Sequence, residues 1–239
     1  MSEERPRGPV VEGWQVPPAP PADLVLDGNC VRLEPLQAER HAALLHDQFD
    51  GHDWIWDYMG YGPFHSAAAY HRWMHGVEDG TDPKFFALWD LETKACVGVT
   101  SYLRITPAAG SIEVGNIHYA PALQRTRAAT EAMALMMQWA FDAGYRRYEW
   151  KCDALNMPSR RAAQRLGFSY EGTFRKHLIV KGRSRDTAWF AITDDQWPAL
   201  KEAYDVWLSP ANFDAQGRQQ ERLGDLTRLV RVSGDPLQG

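Results

Sequence analysis

The stretch "IEVGNIHYAPALQRTRAATEAM", residues 112–133, decides the fold. Its first part reads as a strand, within "GSIEVGNIHYA" (110–120). Its last part opens a long helix over residues 127–143, on which Met133, Met136, Met137, Ala140 and Phe141 recur at helical spacing and form one apolar face. Gly144 is a suitable stop. The following segment, "YRRYEWKCD" (145–153), reads as another strand. The whole is therefore a strand–helix–strand crossover, which brings its two strands into one sheet in parallel. The helix start carries Arg125 and Arg127. Amides without helical partners point out of such a start, and the helix dipole favours negative charge there. Ala128 and Ala129 keep the bulk low, Thr126 and Thr130 offer hydroxyls, and guanidinium groups match phosphate oxygens. The plain alternative is a solvated basic helix start. On charge placement alone that alternative is the preferred reading, although cations there oppose the dipole slightly, which points towards a resident anion.

Upstream, "NCVRLEPL" (29–36) alternates as a strand, and "AERHAALLHDQF" follows as a helix. An aromatic loop, "GHDWIWDYMGYGPF" (51–64), leads to a second helix for which Ser66 is the expected N-cap. "KFFALWD" (84–90) and "KACVGVTSYLRI" (94–105) read as paired strands. Downstream, "NMPSRRAAQRLGF" is a short helix with Pro158 in its first turn and Gly167 at its end. A hairpin around "KGR" closes the sheet, and Asp194 or Asp195 is expected to cap a last helix, "QWPALKEAYDVWL". This order gives an α/β (α+β) class: a mixed, mostly antiparallel sheet flanked by helices. Residues 1–23 form a Pro-rich arm, 24–208 the domain, and 209–239 a polar tail expected to be partly mobile.

The formal net charge of -5 does not point to nucleic acid. No apolar run approaches the roughly 20 residues of a membrane span, and the first residues lack the apolar core of a signal peptide. Cys30, Cys96 and Cys152 are odd in number and far apart, which excludes a disulfide framework and fits a reducing cytoplasm. Six of eight histidines fall between His41 and His75. His71 and His75 lie four apart on a helix, but no Glu or Cys completes a zinc frame, so no metal is expected.

Three segments carry a resemblance: residues 112–133, "NMPSRRAAQRLGFSYEGTFRKH" (156–177) and "RDTAWFAITDDQWP" (185–198). Together they resemble the GNAT acyltransferase superfamily, in particular its branch named for ribosomal-protein alanine N-acetyltransferases, RimJ/RimL. The likeness spans roughly residues 28–200, with the same element order. The family carries Gln/Arg-x-x-Gly-x-Gly/Ala at its pyrophosphate turn. Here the turn reads Gln124-Arg125-Thr126-Arg127-Ala128-Ala129, with Arg127 in place of the first glycine. The pattern Asn156, Ser159, Leu166-Gly167-Phe168 is the more specific half of the match.

The resemblance implies acyl transfer from acetyl-CoA, or another acyl-CoA, to an amine on a small molecule or a peptide N-terminus. It implies cofactor contacts from Ile117 to Tyr119, from Gln124 to Thr130, and at Asn156 and Ser159. Glu113 matches the acidic position on the family's fourth strand and is the first candidate for general base, ahead of Asp153 and His118. By itself Glu113 reads equally well as a solvated strand carboxylate, and a lone strand histidine such as His118 is more often simply packed. A main-chain N–H near Ile117, His118 or Tyr119 would hold the oxyanion. Ser159 stands where many members place a tyrosine beside the departing thiolate, and Asn156 doubles as a helix cap. For the acceptor, the aromatic loop with Trp54, Trp56, Tyr58, Tyr61 and Phe64, and the hairpin residues Arg175, Lys176 and His177, are candidates. A lid or subunit contact, a plug for the sheet end, and a solvated face are the competing roles. The terminal extensions leave room for a homodimer. The alternatives in other classes are a catalytically silent CoA-binding protein of the same fold and a succinyl-type transferase.

Overall fold

The computed structural model describes residues 5–238. Eight strands form one sheet in the order β1-β2-β3-β4-β5-β6-β8-β7. They are β1 (Leu26–Asp27), β2 (Val31–Pro35), β3 (Lys84–Asp90), β4 (Ala95–Thr106), β5 (Ser111–Tyr119), β6 (Arg147–Asp153), β7 (Ser169–Val180) and β8 (Arg183–Thr193). Every neighbouring pair is antiparallel except β5–β6, the two strands joined by the crossover. The helices are α1 (Ala38–Phe49), α2 (Ala67–His75), α3 (Arg127–Asp142), α4 (Met157–Arg165), α5 (Trp197–Leu208) and α6 (Leu223–Thr227).

Helix α3 is more deeply enclosed than one apolar stripe requires, with every residue from Ala128 to Ala134 buried. Small side chains let it lie between the sheet and α5, where Phe141 stacks on Trp197 at 5.1 Å. Tyr102 of β4 donates to Met136 O at 2.6 Å. Glu131 is buried because its carboxylate accepts the amides of Asn29, Cys30 and Val31, tying α3 to the β1–β2 turn. Helices α1 and α2 pack together, with α1 resting on β4. They cover the opposite sheet face.

Ser66 caps α2 by accepting from Ala69 N. The last helix differs from expectation. Gln196, rather than Asp194 or Asp195, occupies the N-cap of α5, and its Oε1 turns back to accept from Thr193 N at 3.0 Å. The two aspartates stay in the turn before it.

Both terminal segments are held against the domain. In the arm, Pro18 O accepts from Tyr145 and Ala22 O from Lys84 Nζ, while Val10 and Val16 remain exposed. The polar C-terminal segment was expected to be mobile in part. Instead Asp235 forms a buried ion pair with Arg160 of α4, and Val232 N and Ser233 Oγ bond to Ser169 and Tyr170 at the start of β7. Leu223 joins the buried core, with Phe213, Leu226 and Val230 packed against it, so the segment is fixed by apolar contacts as well as by paired charges and backbone bonds.

Candidate active site

Strands β5 and β6 pair only from Ser111↔Arg147 to Val114↔Trp150, after which β5 runs on to Tyr119 and β6 to Asp153. The sheet forks at that point. The cause lies on the other edge of β5. Its register with β4 steps from Ser101↔Gly115 to Val99↔His118, so Asn116 and Ile117 face Thr100 alone. This is a bulge, and Asn116 sits at a φ of 52° within it. Ala120 N donates to Val97 O, and His118 opposes Val99. Antiparallel alternation therefore turns the N–H and C=O of Tyr119 towards the fork. Tyr119 O is taken there by Gln124 Nε2 at 2.9 Å.

Helix α3 begins beside this fork. Thr126 is its N-cap and accepts from Ala129 N. Among the described residues, the amides of Arg125, Arg127 and Ala128 meet no protein acceptor. The arrangement fits a pyrophosphate: unpaired amides, a helix start and the small side chains of Ala128 and Ala129. Arg125 is exposed at a φ of 64°. Arg127 was expected to offer its guanidinium to the anion, and the structure turns it away. Its Nη2 donates to Leu208 O at 3.2 Å, and its Cζ lies 4.1 Å from the Phe213 ring centroid. The residue in the glycine position thus anchors the C-terminal segment by its side chain and contributes only its amide to the turn. Thr130 is likewise occupied, donating to Thr126 O and accepting from Arg165 Nη2 at 2.7 Å.

Across the fork, Asn156 caps α4 by accepting from Ser159 N at 3.1 Å. Ser159 Oγ accepts from Trp150 Nε1 at 3.0 Å. Burial pushes the Cys152 thiol up to about 11, opposed by a hydrogen bond from the same serine.

On the other sheet face lies Glu113, buried between cations. Arg104 Nη1 bonds to both of its oxygens at 2.8 and 2.9 Å, and Lys151 Nζ reaches Oε2 at 2.9 Å. A methyl placed on Gly115 would lie 3.7 Å from Glu113 Oε1, so the carboxylate adjoins the fork. Burial raises its pKa, with Lys151 and Arg104 opposing. Lys151 also pairs with Glu149 at 2.7 Å and lies 3.8 Å from the Trp189 ring centroid.

The other two base candidates, like Glu113, have partners within the protein. Asp153 Oδ1 accepts from Leu155 N at 2.9 Å. His118 is buried, with Nδ1 3.0 Å from Asn116 O and Nε2 2.9 Å from the Tyr70 hydroxyl. Since a carbonyl only accepts, Nδ1 carries the proton and Nε2 accepts from Tyr70. Burial drops the ring pKa to about 3, so it stays neutral and has no lone pair to spare. The main chain of Ile117 and Tyr119 adjoins the fork, whereas the His118 side chain points into the aromatic cluster.

The aromatic loop is partly core. Trp56 is 3% exposed and packs 4.8 Å from His118, whereas Trp54 is 53% exposed. Two bonds hold the loop across the fork: Tyr58 to Leu155 O at 3.3 Å, and Lys181 Nζ of the hairpin to Trp56 O at 2.8 Å. Arg175 stands exposed where β7 loses register with β8 between Phe174 and Leu178. His71 and His75 meet Glu39 and Glu78. Sequence reasoning missed Trp150, Lys151, Arg104 and Tyr70. The one available signal was period two on β6, which sends Trp150 and Lys151 to opposite faces.

Residues 31–169 match the family of the acetyltransferase (GNAT) domain. A GCN5-related N-acetyltransferase from Brucella melitensis superposes with a TM-score of 0.88 at 42% identity, over 91% of this chain and 100% of that one. RimL, a ribosomal L7/L12 alpha-N-protein acetyltransferase, gives 0.61 at 19% identity, over 72% of this chain and 94% of that one. The microcin C7 self-immunity acetyltransferase MccE, in complex with acetyl-CoA and AMP, gives 0.62 at 20% identity, over 70% and 93%. The latter two share the fold. No curated protein matches the chain.

Proposed function

The chain belongs to the GNAT acetyltransferase family, and from that premise we propose that it moves acetyl from acetyl-CoA to a primary amine, on a peptide N-terminus or a small molecule. The observation that carries this reading is the β5–β6 fork, with unpartnered amides at the start of α3 on one side and Ser159 on the other. The amides hold the pyrophosphate and aim the thioester into the fork. The amine arrives from the face of Glu113 and the aromatic loop.

A lysine side chain, with a pKa near 10.4, is almost wholly protonated at neutral pH, while an α-amine near 7.7–8.0 is substantially free to attack. A peptide N-terminus therefore demands less of the base. Glu113, lifted by burial, takes the proton through water. The Tyr119 N–H stabilises the oxyanion. As the carbon–sulfur bond breaks, the Ser159 hydroxyl protonates the sulfur. Glu113 then returns its proton to solvent and the serine oxygen regains one from solvent, so that N–H and C–S are exchanged for N–C and S–H.

Placement in the RimJ/RimL-like branch is supported by Asn156, Ser159 and Leu166-Gly167-Phe168. Three free cysteines support a cytoplasmic setting. The arm and the C-terminal segment leave a homodimer open as the working assembly.

Acetyl-CoA binding by calorimetry, followed by thiol release with a panel of amines and peptides, tests the reading. Binding with turnover on at least one acceptor is expected; tight binding with no turnover on any acceptor means a silent CoA-binding protein. Activity requires Glu113 as carboxylate. Its acid limb should therefore lie above the ordinary glutamate pKa of about 4.3, with rate lost as pH falls through the raised value. Glu113→Gln should lower the rate and remove that limb.

A further inference from the structure

We infer that Trp150 is a positioning residue for sulfur protonation, its indole N–H fixing the Ser159 hydroxyl at the mouth of the β5–β6 fork. The inference rests on the transferase reading above and adds to it a group that the family pattern did not supply.

Trp150 is the last residue of β6 paired with β5, so its side chain stands where the strands begin to part. It is 5% exposed, with Phe168 set edge-on at 5.6 Å. The indole can only donate, and it donates to Ser159 Oγ at 3.0 Å. Ser159 is therefore held twice. Asn156 Oδ1 fixes its amide as part of the α4 cap, and Trp150 fixes its oxygen. An oxygen that accepts from one side presents its own hydrogen in another direction. That hydrogen is left for an acceptor in the fork, or for Cys152 when the fork is empty. The same donated bond withdraws charge from the oxygen and eases loss of its proton to a thiolate. An unanchored serine would spread its hydroxyl over three staggered rotamers.

Phenylalanine at position 150 keeps the ring packing and removes the donor. Trp150→Phe should lower kcat for acetyl transfer by roughly tenfold, the usual scale of one buried hydrogen bond, and leave KM for acetyl-CoA unchanged. In a Ser159→Ala background the same change should cost less than about twofold, because its target is gone. Equal losses in both backgrounds, or an unchanged kcat in Trp150→Phe, would overturn the assignment. A second readout needs no turnover. The indole N–H resonance that vanishes in Trp150→Phe should move upfield in Ser159→Ala, and an unmoved resonance refutes the contact. If Trp150→Phe does not fold, the test stands on Ser159→Ala alone: one indole N–H resonance should move, and none moving refutes the contact. A parent protein with no acetyl transfer to any amine sinks the transferase reading and the positioning role with it.

Discussion

Helices α3 and α4 both begin beside the fork, and each start is capped by a short polar side chain: Thr126 for α3 and Asn156 for α4. Locally they are the same device. Around α3 the side chains are drawn off elsewhere, Arg127 to Leu208 and Phe213 and Thr130 to Arg165, so the backbone amides remain as the working groups. Around α4 it is the side chain that is presented, because Trp150 and Asn156 hold Ser159 in place. Under the proposed function one helix start binds and the other reacts, and the difference comes from what lies across from each.

The largest effect expected comes from Asp235, which holds α4 from behind. Asp235→Asn leaves Arg160 buried beside a neutral partner and should cost about 3–5 kcal/mol in urea unfolding. Burial raises the Asp235 pKa, but the bonds from Arg160 outweigh it and hold the carboxyl below its usual range. The pair's stability is therefore complete above the ordinary aspartate pKa of about 3.9 and is lost as pH falls through the depressed value. The parent should show that loss on acid titration, and Asp235→Asn should not.

A matched pair of cap deletions sharpens the contrast. Thr126→Ala and Asn156→Ala should each destabilise by about 1 kcal/mol. Their kinetic signatures should part: Thr126→Ala raises the acetyl-CoA dissociation constant, while Asn156→Ala lowers kcat. A change in the same parameter in both would break the distinction. Arg127→Ala should cost about 1 kcal/mol, the scale of a partly buried cation–π contact, and leave cofactor affinity within about twofold at low and high salt. A salt-sensitive loss of affinity would return its guanidinium to the phosphate. The smallest change expected is at Arg125. Glycine there relieves a left-handed backbone by up to about 1 kcal/mol, offset by the glycine's own chain entropy, so the melting temperature should barely move.

The bulge at Asn116 shows how far the strand pattern reached. The run from Ile112 to Tyr119 reads as a strand, but that reading did not show the left-handed residue that pulls it away from β6. Likewise, Thr126 could be read as part of a helix start, but the destination of Arg127 could not, since Phe213 lies in a segment that hydropathy marks as solvent. Glu113 was legible as an acidic strand residue, while its place beside the fork and the two cations flanking it, from β4 and β6, were not.

The sequence by itself determined the elements from β2 to α5, the crossover and the small-residue helix start, because these depend on periodicity and capping between near neighbours; β1 and α6 were not read from it. Tertiary structure alone decided which groups at that start are free, which base candidates are already engaged, and which indole holds Ser159. Those outcomes turn on hydrogen-bond partners up to eighty-one residues away along the chain, as for Arg127 and Leu208. A polar group's chemistry is set by whichever partner the fold brings to it.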